Sequence, residues 1–432
     1  MTRPLARRWA LWSALALAVL GFGHLCAAHG GDFRAFYDVG EAALARGDVY
    51  ARGPRMDMYV FYAPTFSLLL APFALLTPYA AAWVWYLLKV AGMAWLVGWA
   101  RGARREVAPG SSPGAEIAYA LLPFLVALNP FMSEFRLGQA NLFVLLFSVL
   151  TVESLHRGRP VRAAFYFSIA VIKITPLALL PWLALRRQWR FFGALVLVGC
   201  GWLLALGAFW GPAQVPGLFL RWVRVTATVK ATLHATAFFE NQSLQGAAAR
   251  LAEHLPALEG PLLGLAAFHW LWILPCAALV GLLALSAARD RFRPRLPLAE
   301  FGLASLLMLL ASSDSRYAHH VQLLVPLVAV TALSAHARLL ESLPRVGPWL
   351  AGGETDCVPG KLRLRRATGA LLGAGILVLV LLGRDVVGSG ANEAARALGA
   401  GTAYDLALAT FLAARLLRPG QEPIGDGDRG PG

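Results

Sequence analysis

Long apolar runs separated by short polar connectors constrain this chain more than any other feature of its sequence. Several runs approach or exceed the ~18–20 residues that an α-helix needs to cross a bilayer. Hydrophobic residues make up 58% of the 432 residues, and charged residues make up only 15%. The pattern predicts an all-α fold, a polytopic bundle of transmembrane helices forming one integral-membrane domain over residues 1–418. The Gly/Pro-rich tail, residues 419–432, is predicted to be flexible and cytoplasmic.

The net charge of +15 does not indicate a nucleic-acid partner. The basic residues stand in short clusters between apolar runs, which is typical of the cytoplasmic loops of a membrane protein. The cysteines Cys26, Cys200, Cys276 and Cys357 have no CxxC spacing, so we predict no disulfide framework and no zinc site. The chain also holds no P-loop or HExxH motif. We therefore expect a lipid bilayer as partner, with no metal and no cofactor.

The first apolar run, from Trp9 to about Ala28, follows Arg3, Arg7 and Arg8. Small residues at its end leave a cleaved signal peptide as an alternative. The length of the run and the many later spans favour a retained helix with a cytoplasmic N-terminus. Further spans are predicted near residues 79–100, 117–129, 139–155, 162–174, 176–187, 190–210, 261–287, 298–312, 318–338, 367–384 and 402–418.

These segments give about 12 crossings with both termini inside. Basic residues are about twice as frequent on the predicted inner side, as the positive-inside rule requires. Residues 62–76 are short and interrupted by Pro64 and Pro72, so we interpret them as re-entrant or interfacial, although a span stays open. Polar residues then gather on the outer side, which predicts a site at the extracytoplasmic interface.

The first outer loop, residues 29–61, is expected to carry short amphipathic helices. Its acids are Asp32, Asp38, Glu41, Asp48 and Asp57. Asp32 follows Gly30 and Gly31, and it has two interpretations. It is either a general base or simply the N-cap of a short helix.

Short motifs follow one another at the outer turns. They are Asp32-Phe33 with Gly47-Asp48-Val49-Tyr50 and Tyr62-Ala63-Pro64, then Gly138-Gln139-Ala140-Asn141, Lys173-Ile174-Thr175-Pro176 and Asn241-Gln242-Ser243-Leu244. In this order the chain, from about residue 30 to 338, resembles glycosyltransferase family 87 of the GT-C class. That family comprises bacterial polyprenyl-phosphate-mannose-dependent α-mannosyltransferases. Ala63, where a second proline is common, and Ser312-Ser313-Asp314, where a proline-containing variant is expected, depart from the pattern and leave donor and acceptor open.

The resemblance implies a GT-C-type helical bundle and an inverting hexosyltransferase. The enzyme would move a sugar, expected to be mannose, from a polyprenyl-phosphate donor to a lipid- or glycan-linked hydroxyl. The reaction would take place on the periplasmic or exterior face of the inner (plasma) membrane, with the first-loop Asp32 as base. The chemistry agrees, because a carboxylate must take the acceptor proton and cations must hold the departing phosphate. One carboxylate suffices, since phosphate is a good leaving group, whereas glycosidases use two.

The predicted donor-phosphate contacts have ordinary alternatives. Lys173 can instead snorkel, Arg136 can pair with Glu134, and the two histidines point ~100° apart, so that one at most faces the site. The candidate phosphate ligands are Lys173, Arg136, Arg316, His319 and His320.

The predicted sugar or acceptor contacts are amides and one acid. The same amides can hold helices together in the apolar phase, and the later ones can cap a loop. The candidates are Gln139, Asn141, Glu240, Asn241 and Gln242.

One motif for a different kind of sugar donor and two other functions are weighed against this interpretation. Asp426-Gly427-Asp428 matches a DxD motif for nucleotide sugars, but it lies in the tail on the predicted inner side, away from the other candidates. A transporter or flippase of lipid-linked sugars would show inverted repeats and polar residues at the bilayer midplane, and the sequence shows neither clearly. A scaffold without catalysis would not need Asp32 beside a cationic outer turn.

Overall fold

The computed structural model of the chain is built almost wholly from helices. It describes residues 3–56, 60–107, 113–229, 237–238, 240–258, 260–262, 265–289, 297–312, 315–333, 359–381 and 389–417. Asp57, Ser313, Asp314, the Asp426–Asp428 motif and the tail lie outside the described residues. So does most of residues 288–297, the connector between two predicted spans that the predicted topology places on the inner side.

The first half of the chain forms ten helices within the described residues. They are α1 (Arg3–His29), α2 (Phe33–Leu44), α3 (Pro64–Leu70), α4 (Pro78–Val107), α5 (Pro113–Val126), α6 (Leu128–Arg136), α7 (Asn141–His156), α8 (Pro160–Ala170), α9 (Leu180–Leu185) and α10 (Trp189–Trp210). Short 3₁₀ segments at Ala71–Leu75 and Thr175–Leu179 precede α4 and α9.

The second half adds eight helices among the residues described. They are α11 (Val215–Val229), α12 (Leu244–His254), α13 (Ala267–Arg289), α14 (Leu298–Leu310), α15 (Leu324–Leu333), α16 (Pro359–Leu381), α17 (Ser389–Ala397) and α18 (Ala400–Leu417). The remaining elements are 3₁₀ segments at Pro256–Leu258 and Tyr317–Leu323 and a hairpin in which β1 (Pro261–Leu262) pairs antiparallel with β2 (Leu265–Ala266).

Among the residues that the structure describes, four helical segments are long and apolar enough to cross a membrane, judged by length and composition. They are Trp12–His29, Pro78–Glu106, Trp189–Trp210 and Ala267–Arg289. Two bent pairs, α5 with α6 at 61° and α17 with α18 at 51°, raise the number to six if each pair is one span. The chain is therefore a multi-pass helical membrane protein, and the count of about 12 crossings stays a prediction.

Prolines divide the segments that the sequence places near residues 162–174 and 176–187, where Pro176 also allows a helical hairpin that does not fully cross. Residues 160–185 form an 11-residue helix, a five-residue 3₁₀ segment and a six-residue helix. Pro176 and Pro181 each stand at the start of one of the last two elements, because proline has no N–H to continue the preceding helix. Residues 62–76, interpreted from the sequence as re-entrant or interfacial, form only α3 and the segment Ala71–Leu75, together about 20 Å, which is too short to cross ~30 Å of hydrocarbon.

The core is centred on α14. Every residue from 299 to 310 is buried, as expected of a helix that is apolar on all sides. Its one acid, Glu300, accepts hydrogen bonds from Trp182 Nε1 at 2.9 Å, Arg186 Nε at 2.7 Å and Ser286 Oγ at 2.5 Å. The helix packs against α15, α18 and the Thr175–Leu179 turn. This central helix ties the Lys173 turn to the C-terminal helices.

Candidate functional site

Two glycine turns bring Asp32 beside Gln139. Gly31 and Gly138 both have positive φ, at +46° and +63°, which L side chains rarely adopt. The Asp32 N–H donates to the Leu137 carbonyl at 2.6 Å, and a Cβ on Gly31 would lie 2.5 Å from that oxygen. Because the turns meet backbone to backbone, the main chain itself sets the distance between the two motifs.

The carboxylate of Asp32 is directed at the second turn. Asp32 stands at the N-cap of α2, but its side chain makes no capping hydrogen bond. It accepts instead a hydrogen bond from Gln139 Nε2. The capping interpretation therefore does not account for this residue.

Burial raises the pKa of the half-buried Asp32 carboxyl above its usual value. The positive charge of Lys173 lowers this pKa, the Glu134 carboxylate raises it, and Arg316 and Lys89 lower it. The net pKa is raised, so Asp32 holds a proton more tightly than an exposed aspartate. A raised pKa suits a group that must accept a proton during a reaction.

The other described acids of the first loop are bonded to arginines. Arg55 pairs with Asp38 and lies 2.5 Å from Glu41 Oε2, and Arg221 lies 2.8 Å from Asp48 Oδ2. These pairs hold the loop in shape. Within the part of the loop that the structure describes, Asp32 is the acid that forms no ion pair.

Lys173 projects from the turn between α8 and the Thr175–Leu179 segment. Its Nζ donates to Asn141 Oδ1 at 2.6 Å and lies 3.2 Å from His319 Nε2. It also stands 5.2 Å from the centre of the Tyr62 ring. The Ala63 N–H donates to the Ile172 carbonyl at 2.9 Å, so the first loop and the lysine turn are fixed to each other.

The chemistry of His319 makes this lysine contact unusual. The Arg316 backbone N–H donates to His319 Nδ1 at 3.0 Å, so Nδ1 must carry the lone pair. We therefore assign the ring proton to Nε2, the atom that faces Lys173. An ammonium group and an N–H group, both donors, then converge on one position. An anionic oxygen is the group that satisfies both.

Tyr62 joins the two halves of the site, although the sequence marked it only as part of a motif. Its hydroxyl lies 3.4 Å from Gln139 Oε1, while its ring faces Lys173. The ring also stacks on Phe66 with centroids 4.5 Å apart. The carboxylate of Asp32 and the ammonium of Lys173 thus belong to one cluster.

Glu240 lies between two arginines. Arg396 NH1 is 3.1 Å from Glu240 Oε1, and Arg316 NH1 is 3.7 Å from Glu240 Oε2. Arg396, from α17, was not among the residues selected from the sequence. The sequence around Arg396 gave little indication of a role in the site, since Arg396 is one basic residue in a short amphipathic helix.

Asn241 and Gln242 make their side-chain bonds inside the protein. Asn241 Oδ1 accepts from the Ser315 N–H at 2.9 Å. Gln242 Nε2 donates to the Arg396 carbonyl at 2.9 Å, and its Oε1 accepts from the Gly401 N–H at 3.2 Å. These contacts fasten the C-terminal helices to the 240–242 segment.

The two adjacent histidines point apart, in keeping with the helical spacing. His320 is fully buried, its Nδ1 lies 3.2 Å from the Arg316 carbonyl, and its Nε2 is 3.6 Å from Asp405 Oδ2. Arg136 is exposed at the end of α6, and it is not among the charges that act on Asp32. These two residues lie outside the cluster formed by Asp32, Gln139 and Lys173.

Glu134 pairs with a different cation from the one the sequence suggested. Its carboxylate lies 3.2 Å from Lys89 Nζ, and both side chains are almost wholly buried. The alternative pairing with Arg136 is therefore wrong. A lysine within a predicted span needs a partner, and the structure gives Lys89 that partner in Glu134.

Metal ligands are not clustered in the described ranges, where no three His, Cys, Asp or Glu side chains stand close enough together to hold an ion. The crystal structure of ArnT from Cupriavidus metallidurans bound to undecaprenyl phosphate aligns over 94% of this chain and 77% of that one. The alignment has 15% identity and a TM-score of 0.40. A comparison with curated proteins found no significant match.

The sequence model of Glycosyltransferase family 87 matches residues 59–313. The match covers more than half of the chain. It includes Gln139, Asn141 and Lys173. It begins after Asp32 and ends before Arg316. The chain is a multi-pass membrane protein that belongs to glycosyltransferase family 87.

Proposed function

We propose that this protein transfers a sugar from a polyprenyl-phosphate donor to a lipid- or glycan-linked hydroxyl, with inversion, at the extracytoplasmic face of the plasma membrane. Mannose is the proposed sugar, from the resemblance to mannosyltransferases. The observation that carries the proposal is the meeting of a proton-accepting carboxylate and two convergent N–H donors in one cluster. Asp32 supplies the first, and Lys173 with His319 supplies the second.

The proposed reaction needs one proton transfer and one displacement. Asp32 takes the proton of the acceptor hydroxyl while the acceptor oxygen bonds to the anomeric carbon. The bond from that carbon to the phosphate oxygen breaks, and polyprenyl phosphate leaves. The Lys173 ammonium and the His319 Nε2–H stabilise the negative charge that the phosphate gains. Each atom and charge is thereby accounted for by groups of this chain and its two substrates.

The other predicted ligands divide by their surroundings. Arg316 is half exposed beside the cluster and lowers the pKa of Asp32, so we assign it to the outer side of the phosphate. Gln139 holds Asp32 and Glu240 lies at the edge of the site, so both remain proposed sugar contacts. Arg136, His320, Asn241 and Gln242 remain predicted contacts, and the bonds described above give the last three a structural task as well.

A transfer assay with a lipid donor tests the proposed function. We expect purified protein to move radiolabelled mannose from polyprenyl-phosphate-mannose onto a component of a lipid extract. Since the donor carries one phosphate and the site supplies its own cations, a chelator should have little effect. Transfer from GDP-mannose without a lipid intermediate, or strong sensitivity to the chelator, would overturn the proposal. Movement of labelled lipid across the bilayer with no new glycosidic bond would instead indicate a flippase.

The proposed orientation places the first loop outside the cell. Ala51 is exposed in this loop, whereas a side chain on the neighbouring Gly53 would collide with Asp38. In a cysteine-free background, we expect Ala51→Cys to react with a membrane-impermeant maleimide in intact cells. Arg293→Cys, in the predicted inner loop, should react only after the cells are opened. Labelling of Arg293→Cys from outside would reverse the topology.

A further inference from the structure

A buried ion pair lies directly behind the lysine of the site. Lys89 and Glu134 are 1% and 0% exposed, and Lys89 Nζ is 3.2 Å from Glu134 Oε1 and donates to the Glu134 carbonyl at 2.7 Å. Two buried charges are expensive in an apolar bundle, and such a pair stabilises a fold less well than apolar packing would. The other bonds of Glu134 indicate a second task for it.

Glu134 fixes the orientation of the Asn141 amide. Glu134 Oε1 accepts from Lys89 and from the Leu142 N–H at 3.1 Å, and Glu134 Oε2 accepts from Asn141 Nδ2 at 2.9 Å. An ionised carboxylate only accepts hydrogen bonds, so the NH₂ of Asn141 must face it. The amide oxygen of Asn141 must then face the opposite way, towards Lys173.

That oxygen in turn holds the ammonium of Lys173. The Lys173 Nζ donates to Asn141 Oδ1 at 2.6 Å and stands 3.2 Å from His319 Nε2. An ammonium only donates, so it requires the oxygen of Asn141 and would be repelled by its NH₂. The carboxylate of Glu134 thus determines which group donates and which accepts in both hydrogen bonds of the series from Glu134 to Asn141 to Lys173.

We propose that Glu134 is a positioning residue, which acts through the Asn141 amide to aim the Lys173 ammonium at the donor phosphate. The proposal rests on the proposed function of Lys173. It assigns Asn141 to the support of the lysine and not to direct contact with the sugar. It also explains why a carboxylate, and not an amide, occupies position 134.

A glutamine at position 134 cannot reproduce these bonds. It has one oxygen and one NH₂, while three donors converge on the two oxygens of Glu134. If the NH₂ faces Asn141, the Asn141 amide must rotate and present its own NH₂ to Lys173. Glu134→Gln should therefore move Lys173 even though the side chain keeps its size.

An exchange of the carboxylate at position 134 with the amide at position 141 should restore the position of the Lys173 ammonium. In Glu134→Gln with Asn141→Asp, the glutamine oxygen accepts from Lys89 and Leu142, and its NH₂ donates to the new aspartate. The other aspartate oxygen accepts from Lys173. Lys89 then lacks a charged partner, so stability should stay lowered while the aim of Lys173 returns. If Glu134 served only folding, stability and function would instead fall together in the single variant and recover together in the exchange variant.

The first measurement does not depend on any substrate. The chain has four lysines, Lys89, Lys173, Lys230 and Lys361, so ¹⁵N-lysine labelling gives few side-chain signals. We expect the Lys173 Nζ signal to shift in Glu134→Gln and in Asn141→Ala, and to return towards its native position in the exchange variant. Asn141→Ala leaves the Lys89–Glu134 pair in place, so the Lys173 Nζ signal can be measured in this variant even if Glu134→Gln does not fold. An unchanged Lys173 signal in Asn141→Ala would overturn the proposal.

The second measurement uses the donor lipid. We expect Glu134→Gln to raise the KM for polyprenyl-phosphate-mannose about tenfold, the order of one misaligned charge-assisted hydrogen bond. Added to Lys173→Met, the same change should have little further effect, because the lysine it aims is gone. Fully additive effects would place Glu134 outside this series. A shifted Lys173 signal with no transfer by the native protein would uphold the series and reject the proposed function.

Discussion

Asp32→Asn is expected to lower kcat by about 10²–10⁴-fold, the usual loss when a general base is removed. Asparagine keeps the size of the side chain and can still accept the hydrogen bond from Gln139, but it cannot take a proton at the pH of the reaction. The KM for the donor should change far less, since the phosphate is held by other groups. Initial rates over a range of donor concentrations separate the two effects.

Asp48→Asn is the matched control for this variant. Asp48 lies in the same loop and undergoes the same chemical change, but it pairs with Arg221 on the surface, 2.8 Å away. Surface pairs of this kind contribute about 0–1 kcal/mol, so neither activity nor folding should change much. Near-native kcat in well-folded Asp32→Asn would remove Asp32 as the base. Attention would then shift to acids that the structure shows already paired, Asp38 and Glu134.

Lys173→Met should weaken use of the donor and also change the pH profile. Loss of a charge-assisted hydrogen bond to phosphate predicts a KM for the donor about 10- to 100-fold higher. Lys173 also lowers the pKa of Asp32, which burial has already raised, so without the lysine that pKa rises further. The base works only when deprotonated, and activity is lost as pH falls through its pKa. The acidic limb of kcat/KM should therefore move to higher pH.

Lys173 and Arg316 lower the pKa of Asp32 to different extents, so the shift of the acidic limb should differ between variants. Arg316→Met should move the acidic limb in the same direction by less, because Arg316 acts more weakly on Asp32 than Lys173 does. Arg157→Met removes an exposed cation that pairs with Glu153, and it should leave the limb in place. Rate profiles from pH 4 to 9, recorded at low donor concentration, give the limb for each variant. A limb that does not move in Lys173→Met would contradict the proximity of the lysine to the base.

Motifs located the site in the sequence, while its internal contacts required the fold. Asp32, Gln139 and Lys173 were selected from motifs that resemble those of the family, at turns predicted to lie outside, and the structure brings these three together. The donor convergence at His319 depends on one backbone bond from Arg316, which no spacing reveals. The pairing of Glu134 with Lys89 joins residues 45 apart, on α6 and α4. Periodicity identifies the face of one helix, but it does not say which neighbouring helix that face meets.

The lengths of the helices show a second limit of sequence patterns. Hydropathy marked residues 162–174 and 176–187 as spans because most of the residues in them are apolar. Hydropathy averages over a window, whereas each proline removes a single backbone N–H. Pro176 stands at the boundary between the two segments, and Pro181 stands near the point where the second one divides. The turn that carries Lys173 exists because of this division. The feature that made the topology hard to predict is thus the one that creates the site.

The attachment of Gln242 to the C-terminal helices has a consequence for biosynthesis. The Gln242 carbonyl accepts from Thr402 Oγ1 at 2.7 Å, across 160 residues of chain. At ~5–20 residues per second, a ribosome needs about 10–30 s to add those residues. During that time the newly inserted segment at 240–242 is without its final partners, and insertion factors or chaperones have an opportunity to bind it. Assembly of the edge of the site at residues 240–242 is therefore among the last events of translation, and ribosomes that stall before Thr402 would release chains with that edge open.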